Sequence, residues 1–214
     1  MKNISDYFNA NRYVVIKNFL DRNTSNLLYN YCVNKVLQVD FYRTQYPNFY
    51  RKETDGIFGD GMTINESYAC YGDLMMDTLL QSSTANMQEF TGTSLNPQYT
   101  YWRMYETGDD LQPHIDRESC EISTTLCLGY DTSNISGNYI WSFFIKSDSG
   151  DLEIKLEPGD MLIYKGCEVL HWREPFLGRN HAQVFMHYNN ANGKFAYKKY
   201  DTRPLLGLPT DFRR

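Results

Sequence analysis

The hydrophobic pattern of the chain changes near its middle, and its first half is helical in character. Apolar residues recur there at helical spacing and predict a helix that starts after a cap at Asp21 or at Asn23-Thr24 and ends near residue 39. A second helix is expected over residues 73–90, with Gly92 placed to end it. The first half therefore supplies two helices.

The second half alternates between apolar and polar positions, which is typical of half-buried strands. Turn signals such as Pro158-Gly159-Asp160 separate the strands. Many short strands with regularly spaced turns favour a sandwich or barrel, and among these a jelly roll. The expected strands are residues 13–20 in the first half, and 99–105, 122–128, 139–145, 152–156, 161–164 and 182–188 in the second.

Together the two patterns predict an α+β fold with a jelly-roll core and N-terminal supporting helices, in one domain over residues 1–214. Supporting elements are expected over residues 1–98, the core over 99–190 and a C-terminal tail over 191–214. Residues 41–65 are rich in Tyr, Gly, Asp and Pro and show no clear period. We interpret them as a long aromatic loop, a kind of segment that is often a functional lid.

Composition narrows the class of protein. The net charge of -5 and the pI near 5.4 argue against a nucleic-acid partner, which would normally require a basic surface. The sequence contains no apolar run near the roughly 18 residues that a bilayer crossing needs, and its start lacks the apolar core of a secretion signal. The five cysteines form no CxxC pair and are interpreted as reduced thiols. These features predict a cytoplasmic protein without a membrane partner.

Two histidines and one aspartate form a metal-binding pattern. His114 and Asp116 are two residues apart, so at a strand end their side chains point to the same side. His171 follows a Pro-Gly-Asp turn and a hydrophobic strand, so it also stands where a strand ends. Two histidines and one carboxylate on one face of a metal leave the other positions open, as in non-haem Fe(II) oxygenases.

Two of these residues have an ordinary alternative interpretation. His171 fits a half-exposed loop histidine, and Asp116 fits a cap or a partner of Arg117. Neither alternative accounts for three ligand-type side chains at strand ends of one small β-rich region. We therefore predict that His114, Asp116 and His171 form a metal site.

The motifs around this pattern resemble the Fe(II)/2-oxoglutarate-dependent dioxygenases, and in particular their prolyl-4-hydroxylase-like branch. The resemblance is strongest over residues 99–188. The matching motifs are Tyr105-Glu106-Thr107-Gly108, His114-Ile115-Asp116, the run Leu156-Glu157-Pro158-Gly159-Asp160-Met161-Leu162-Ile163-Tyr164, and then His171, Pro175 and Gly178.

The resemblance implies a double-stranded β-helix (jelly roll), in agreement with the strand pattern. It implies that His114, Asp116 and His171 hold Fe(II), and that 2-oxoglutarate and O2 are co-substrates consumed with release of succinate and CO2. It admits ascorbate as a further cofactor. Halogenating relatives replace the carboxylate ligand with a small residue, so Asp116 favours hydroxylation.

The far carboxylate of 2-oxoglutarate requires a buried cation, and the planar fork of arginine suits it. The family usually places an Arg or Lys about ten residues after the distal histidine. This chain has His181 there and Arg179 as the nearest arginine, which is a departure from the family pattern. We predict instead that Arg103 with Tyr105 holds this carboxylate, because alternation puts both on one strand face with Tyr101.

Four further residues are weaker candidates than Arg103 and Tyr105 for contact with 2-oxoglutarate. His181 and Arg179 come next as anchors, with Thr125 and Gln183 as hydroxyl and amide helpers. The alternative for Arg103 is an outward-facing surface arginine. Arg173-Glu174 is interpreted as a local ion pair, and Trp141 and Trp172 as core or pocket-wall residues.

The sequence thus predicts an Fe(II)- and 2-oxoglutarate-dependent oxygenase that hydroxylates a C–H bond. The substrate class stays open between a protein or peptide side chain, a free amino acid and another small metabolite. A nucleic-acid demethylase is disfavoured by the acidic balance. The rival from another class is a non-catalytic metal-binding jelly-roll protein.

Overall fold

The computed structural model describes residues 3–63 and 65–214. Its α-helices are α1 (Ile4–Asn11), α2 (Arg22–Gln45), α3 (Lys52–Asp55) and α4 (Leu74–Thr91), and its 3₁₀ helices are Pro47–Phe49, Ala196–Thr202 and Thr210–Phe212. None of the helices in these two ranges combines the length and the apolar character that a membrane crossing requires.

Both expected long helices are present, and their ends have a local cause. The carboxylate of Asp21 caps α2 by accepting from the backbone N–H groups of Asn23 and Thr24. The second long helix, α4, ends at Gly92, whose φ of 68° lies in the left-handed region that glycine adopts at low cost. The first predicted cap and the predicted end of the second helix are confirmed.

The strands form two antiparallel sheets. The larger has seven strands in the order β1-β9-β6-β11-β4-β3-β2, and the smaller has four in the order β5-β10-β7-β8. The predicted α+β fold with a jelly-roll core is confirmed. The strands are β1 (Tyr13–Ile16), β2 (Ile57–Phe58), β3 (Tyr68–Tyr71), β4 (Leu95–Glu106), β5 (Leu111–His114), β6 (Ile122–Asp131), β7 (Ser142–Ser147), β8 (Gly150–Lys155), β9 (Met161–Tyr164), β10 (His171–Arg173) and β11 (Asn180–Asn190).

Strand β4 shows how the larger sheet separates two apolar layers. Trp102 and Met104 on one face pack into the core that includes Leu80 of α4. Tyr101 and Tyr105 on the other face belong to the aromatic cluster between the two sheets. The period of two along a strand therefore assigns Arg103 to the interior of the jelly roll as well.

Several elements differ from the sequence-based prediction. The first strand ends at Ile16, because Asn18 turns the chain in the left-handed region and its N–H donates to Asp160 Oδ1 at 2.9 Å. Helix α2 continues to Gln45, so the proposed loop over residues 41–65 begins with helix and also contains α3 and β2. Helix α1 was not predicted, since Phe8 is its single buried residue. Strand β3 was missed because three consecutive residues are buried and no alternation marks it.

Candidate metal centre

The three predicted ligands meet at one end of the jelly roll. His114 ends β5 and His171 begins β10, and the two residues are direct partners in the antiparallel register. Asp116 lies just beyond β5, where its backbone N–H donates to the carbonyl of Gly166 at 2.9 Å. One ligand atom from each side chain can be chosen so that all three lie within 4.8 Å of one another. The predicted constellation therefore exists in space.

The two histidines present their Nε2 atoms to the shared centre. His114 Nδ1 donates to the carbonyl of Gln112 at 2.8 Å, and His171 Nδ1 donates to the carbonyl of Val169 at 2.9 Å. A carbonyl oxygen only accepts, so these contacts fix the proton on Nδ1 and leave the Nε2 lone pair available. Each Nε2 lies about as far from Asp116 Oδ1, at 3.9 Å for His114 and 3.8 Å for His171.

Ser123 and Gly166 hold the carboxylate of Asp116 in place. Ser123 Oγ donates to Asp116 Oδ2 at 2.6 Å, which leaves Oδ1 facing the histidines. A Cβ at Gly166 would overlap both Asp116 Oδ2 and Ser123 Oγ, so only glycine fits beside this pair. No sequence pattern identifies either supporting residue, because β6 and the segment after β9 meet Asp116 only in the folded chain.

The protonation states suit metal binding. Burial lowers the pKa of His171 to about 4, against the opposing effect of Asp116, so this imidazole is neutral at physiological pH. Burial would raise the pKa of Asp116, but His187, His171 and the hydrogen bond from Ser123 outweigh it and lower this pKa. A neutral imidazole and an ionised carboxylate are the forms that bind a divalent cation.

A cavity of about 170 Å³ opens in front of the three ligands. Aromatic rings form much of its wall, and the ring of Tyr99 stacks on His187 with centroids 4.5 Å apart. Sequence reasoning did not single out His187, although it shares the inward face of β11 with His181 by alternation. The remaining lining residues are Met62, Tyr101, Arg103, Leu111, Tyr164 and Phe185.

Arg103 faces this cavity and is already paired. Its guanidinium forms a two-pronged ion pair with Asp60, in which Nη1 donates to Oδ1 at 2.9 Å and Nη2 donates to Oδ2. Tyr101 donates to the same carboxylate at 2.5 Å. The alternative of an outward-facing surface arginine is wrong, because the side chain of Arg103 is only 5% exposed.

The other predicted co-substrate contacts divide into an interior group and one surface residue. Gln183 lies in the interior, where its amide donates to Thr125 Oγ1 and its Oε1 lies 2.7 Å from His181 Nε2. Tyr105 is fully buried, and its hydroxyl has no hydrogen-bond partner within the described ranges. Arg179, by contrast, is exposed and lies 3.8 Å from Asp131, so its guanidinium is outside the interior group.

The structure corrects the interpretation of Arg173. Arg173 is the last residue of β10 and is buried, whereas Glu174 lies just past the strand and is exposed, so the expected ion pair does not form. Arg173 instead donates to the carbonyl of Trp141 and to Gln183 Oε1, both at 3.2 Å. Trp141 is a buried core residue, which is one of the two predicted alternatives, and Trp172 stacks on Phe144 on the other face of the sheet.

The donor set fits Fe(II) with open coordination positions. Two imidazole nitrogens and one carboxylate oxygen lie within 4.8 Å of one another, and all three side chains line the cavity. Non-haem Fe(II) oxygenases use two histidines and one carboxylate with open positions, whereas a structural zinc site is closed by four protein ligands. The residues present therefore fit the metal that the motifs predict.

Comparisons with solved structures find proteins that share this fold. No protein-family model matches the chain, and no curated protein matches it in sequence. The chain is similar in structure to a prolyl-4-hydroxylase from Pseudomonas putida, with a TM-score of 0.63 and 13% identity over 87% of this chain and 97% of that chain. It is also similar to the non-heme alpha-ketoglutarate-dependent carbocyclase SnoK from nogalamycin biosynthesis, with a TM-score of 0.67 and 10% identity over 89% of this chain and 84% of that chain.

A third similar structure is EctD from S. alaskensis with 2-oxoglutarate and 5-hydroxyectoine, with a TM-score of 0.62 and 11% identity over 89% of this chain and 76% of that chain. At these identities the likeness establishes the fold and not the activity. The chain has the double-stranded β-helix fold of the Fe(II)/2-oxoglutarate-dependent oxygenases, and the motif resemblance is confirmed at the level of the fold.

Proposed function

We propose that this protein is an Fe(II)- and 2-oxoglutarate-dependent oxygenase that hydroxylates a C–H bond and releases succinate and CO2. One observation carries the proposal: His114, Asp116 and His171 present three ligand atoms to one point at the edge of a cavity. The hydrogen bonds that fix both Nδ1 protons support it, because they prepare the imidazoles as neutral ligands.

In this mechanism His114, Asp116 and His171 hold Fe(II), which when bound supplies the oxidative chemistry with 2-oxoglutarate and O2. Ser123 keeps one oxygen of Asp116 engaged, so that the other oxygen stays directed at the metal position. Tyr99 and Phe185 form part of an apolar wall that limits water beside the reacting groups. The carboxylate of Asp116 would take one coordination position of the metal, which favours hydroxylation over halide transfer.

For the substrate, we propose a protein or peptide side chain or a free amino acid. The cavity of about 170 Å³ supports this proposal, because a site of that size admits one side chain or a small molecule in front of the metal. Met62 contributes to its lining from the segment between β2 and β3. The alternative substrate is another small metabolite, and the structural neighbour EctD contains 2-oxoglutarate and the small molecule 5-hydroxyectoine.

The proposal is tested by the spectrum of the protein with Fe(II) and 2-oxoglutarate under anaerobic conditions. A weak visible charge-transfer band is expected, because a 2-oxo acid bound to Fe(II) through its oxo and carboxylate oxygens produces one. Asp116→Ala is expected to lose the band, and Asp131→Ala, which removes a half-buried aspartate at the end of β6, is the matched control and is expected to keep it. Wild-type protein that binds Fe(II) but gives no band would support a non-catalytic metal-binding jelly roll instead.

A further inference from the structure

Within the two described ranges, the interior of the jelly roll contains an arginine that has no counter-ion. Arg173 is 2% exposed, and its two hydrogen bonds go to neutral oxygens of Trp141 and Gln183. Its Nε has no partner, and no carboxylate lies within ion-pair distance of its guanidinium in residues 3–63 and 65–214. An arginine keeps its proton even when buried, so this charge is uncompensated inside the protein.

Arg103 provides the contrast, since the same interior holds a second arginine whose charge is neutralised. Asp60 pairs with Arg103 through both of its oxygens. Burial lowers the pKa of Arg173, whereas for Arg103 the effect of burial is outweighed by Tyr105, Asp60 and Tyr101, and its pKa is raised. Of these two arginines, Arg173 is the one whose charge a bound anion would neutralise.

Other polar atoms beside Arg173 also lack partners. The hydroxyl of Tyr105 and Nδ1 of His181 are both buried without a hydrogen bond within the described ranges. Trp141 links the group, because its ring lies 4.2 Å from Arg173 Cζ, 4.9 Å from the ring of Tyr105 and 5.3 Å from that of His181. Two of the unpaired groups beside the guanidinium, Arg173 Nε and the Tyr105 hydroxyl, are donors, and unpaired buried donors around a cation are costly for a protein unless a ligand satisfies them.

The position of Arg173 relative to the metal ligands identifies the anion. Arg173 and His171 lie two residues apart on β10, so they share a face at a separation of about 6.6 Å between Cα atoms. Both contact the ring of Phe143, with Arg173 Cζ 5.2 Å and the His171 ring 5.6 Å from its centroid. Leu111, the register partner of Arg173, lines the cavity. A short dicarboxylate bound at the metal through one end could thus present its other end to Arg173.

We infer that Arg173, with the hydroxyl of Tyr105, binds the distal carboxylate of the 2-oxoglutarate co-substrate. This inference rests on the proposed function and replaces Arg103 as the first candidate for that contact. Arg103 then remains the partner of Asp60 at the wall of the cavity.

The experiment compares two ligands that share the metal-binding end. 2-Oxopentanoate has the five-carbon chain of 2-oxoglutarate but ends in a methyl group, so the ratio of their dissociation constants isolates the distal carboxylate. Each ligand is titrated anaerobically into the Fe(II) protein, and binding is followed by the visible band. Wild type is expected to prefer 2-oxoglutarate at least tenfold, as a charge-assisted hydrogen bond implies.

Arg173→Gln is expected to bring this ratio close to one while changing the affinity for 2-oxopentanoate less than threefold. Arg103→Gln is the matched control and is expected to keep the wild-type ratio. Tyr105→Phe removes only a hydroxyl that makes no hydrogen bond in the structure, so it should fold and lower the ratio several-fold, which keeps the inference testable if Arg173→Gln does not fold.

Three outcomes would overturn the inference. An unchanged ratio in Arg173→Gln and Tyr105→Phe would show that the carboxylate binds elsewhere. A ratio lost in Arg103→Gln alone would assign the contact to Arg103. A wild-type protein that gives no band with either 2-oxo acid would contradict the proposed function itself. That result differs from one in which the band forms but the distal carboxylate binds a residue other than Arg173.

Discussion

The ion pair between Asp60 and Arg103 allows the loss of folding stability in Asp60→Ala to be predicted from the structure. Asp60 belongs to the segment between β2 and β3, and its carboxylate accepts from both Nη atoms of Arg103, from the hydroxyl of Tyr101 and from the backbone N–H of Met62. The two charged side chains are 9% and 5% exposed. Asp60→Ala removes the carboxylate and leaves a buried, unpaired guanidinium.

The expected loss of stability is about 2–4 kcal/mol. Breaking a buried ion pair by removing one partner typically costs about 3–5 kcal/mol, because the remaining charge is uncompensated. We take a lower range because Arg103 lines an open cavity, where water can partly solvate it. Asp148→Ala is the matched control: it breaks the exposed pair with Arg12, for which a change within about 0.5 kcal/mol is expected.

Urea unfolding of the metal-free proteins measures both changes. In a double-mutant cycle with Arg103→Met, the double variant should be more stable than the sum of the two single losses predicts. Burial raises the pKa of Asp60, but Arg103 and Tyr101 outweigh it and lower this pKa, so the stabilisation is present above the unfolded-state pKa of Asp and is lost as pH falls through the folded value. The cost of Asp60→Ala should therefore shrink in acid. A loss at pH 7 no larger than that of Asp148→Ala would refute the reasoning.

Two further predictions concern the metal centre and acid stability. Gly166→Ala should weaken Fe(II) binding at least tenfold, because its Cβ would displace Asp116 and Ser123; an anaerobic Fe(II) titration that matches wild type would contradict this. Burial lowers the pKa of His171 to about 4 and that of His181 to about 3. As pH falls from about 6.5, these histidines therefore take up protons in the unfolded chain before they do so in the folded protein. The free energy of unfolding should then decline by up to about 1.4 kcal/mol per pH unit for each histidine. Urea unfolding that shows equal stability at pH 7 and pH 5 would contradict the second prediction.

Much of the candidate site could be predicted because it follows from short-range periodicity. His114 and Asp116 lie two residues apart, and His171 follows a turn and a strand that the sequence marks clearly. Alternation along β4 likewise placed Arg103 and Tyr105 on one inward face. These inferences need only the geometry of a strand.

The rest of the site depends on contacts between distant segments. Asp60 reaches Arg103 across 43 positions in the sequence, and no local pattern marks that pairing. Ser123 reaches Asp116 from the following strand. Adjacency in the sequence suggests an ion pair between Arg173 and Glu174, but Arg173 ends β10 as a buried residue and Glu174 lies past the strand and is exposed. Strand β10 is too short for alternation to reveal it.

The central claim is most directly tested by succinate release. Purified protein supplied with Fe(II), 2-oxoglutarate and O2 is expected to form succinate, even slowly and without its substrate, and Asp116→Ala is expected to form none above the level of free Fe(II). Mass spectrometry of the reaction mixture measures this. Equal succinate from wild type and Asp116→Ala, or none from a wild type that binds Fe(II) at one equivalent, would contradict the account.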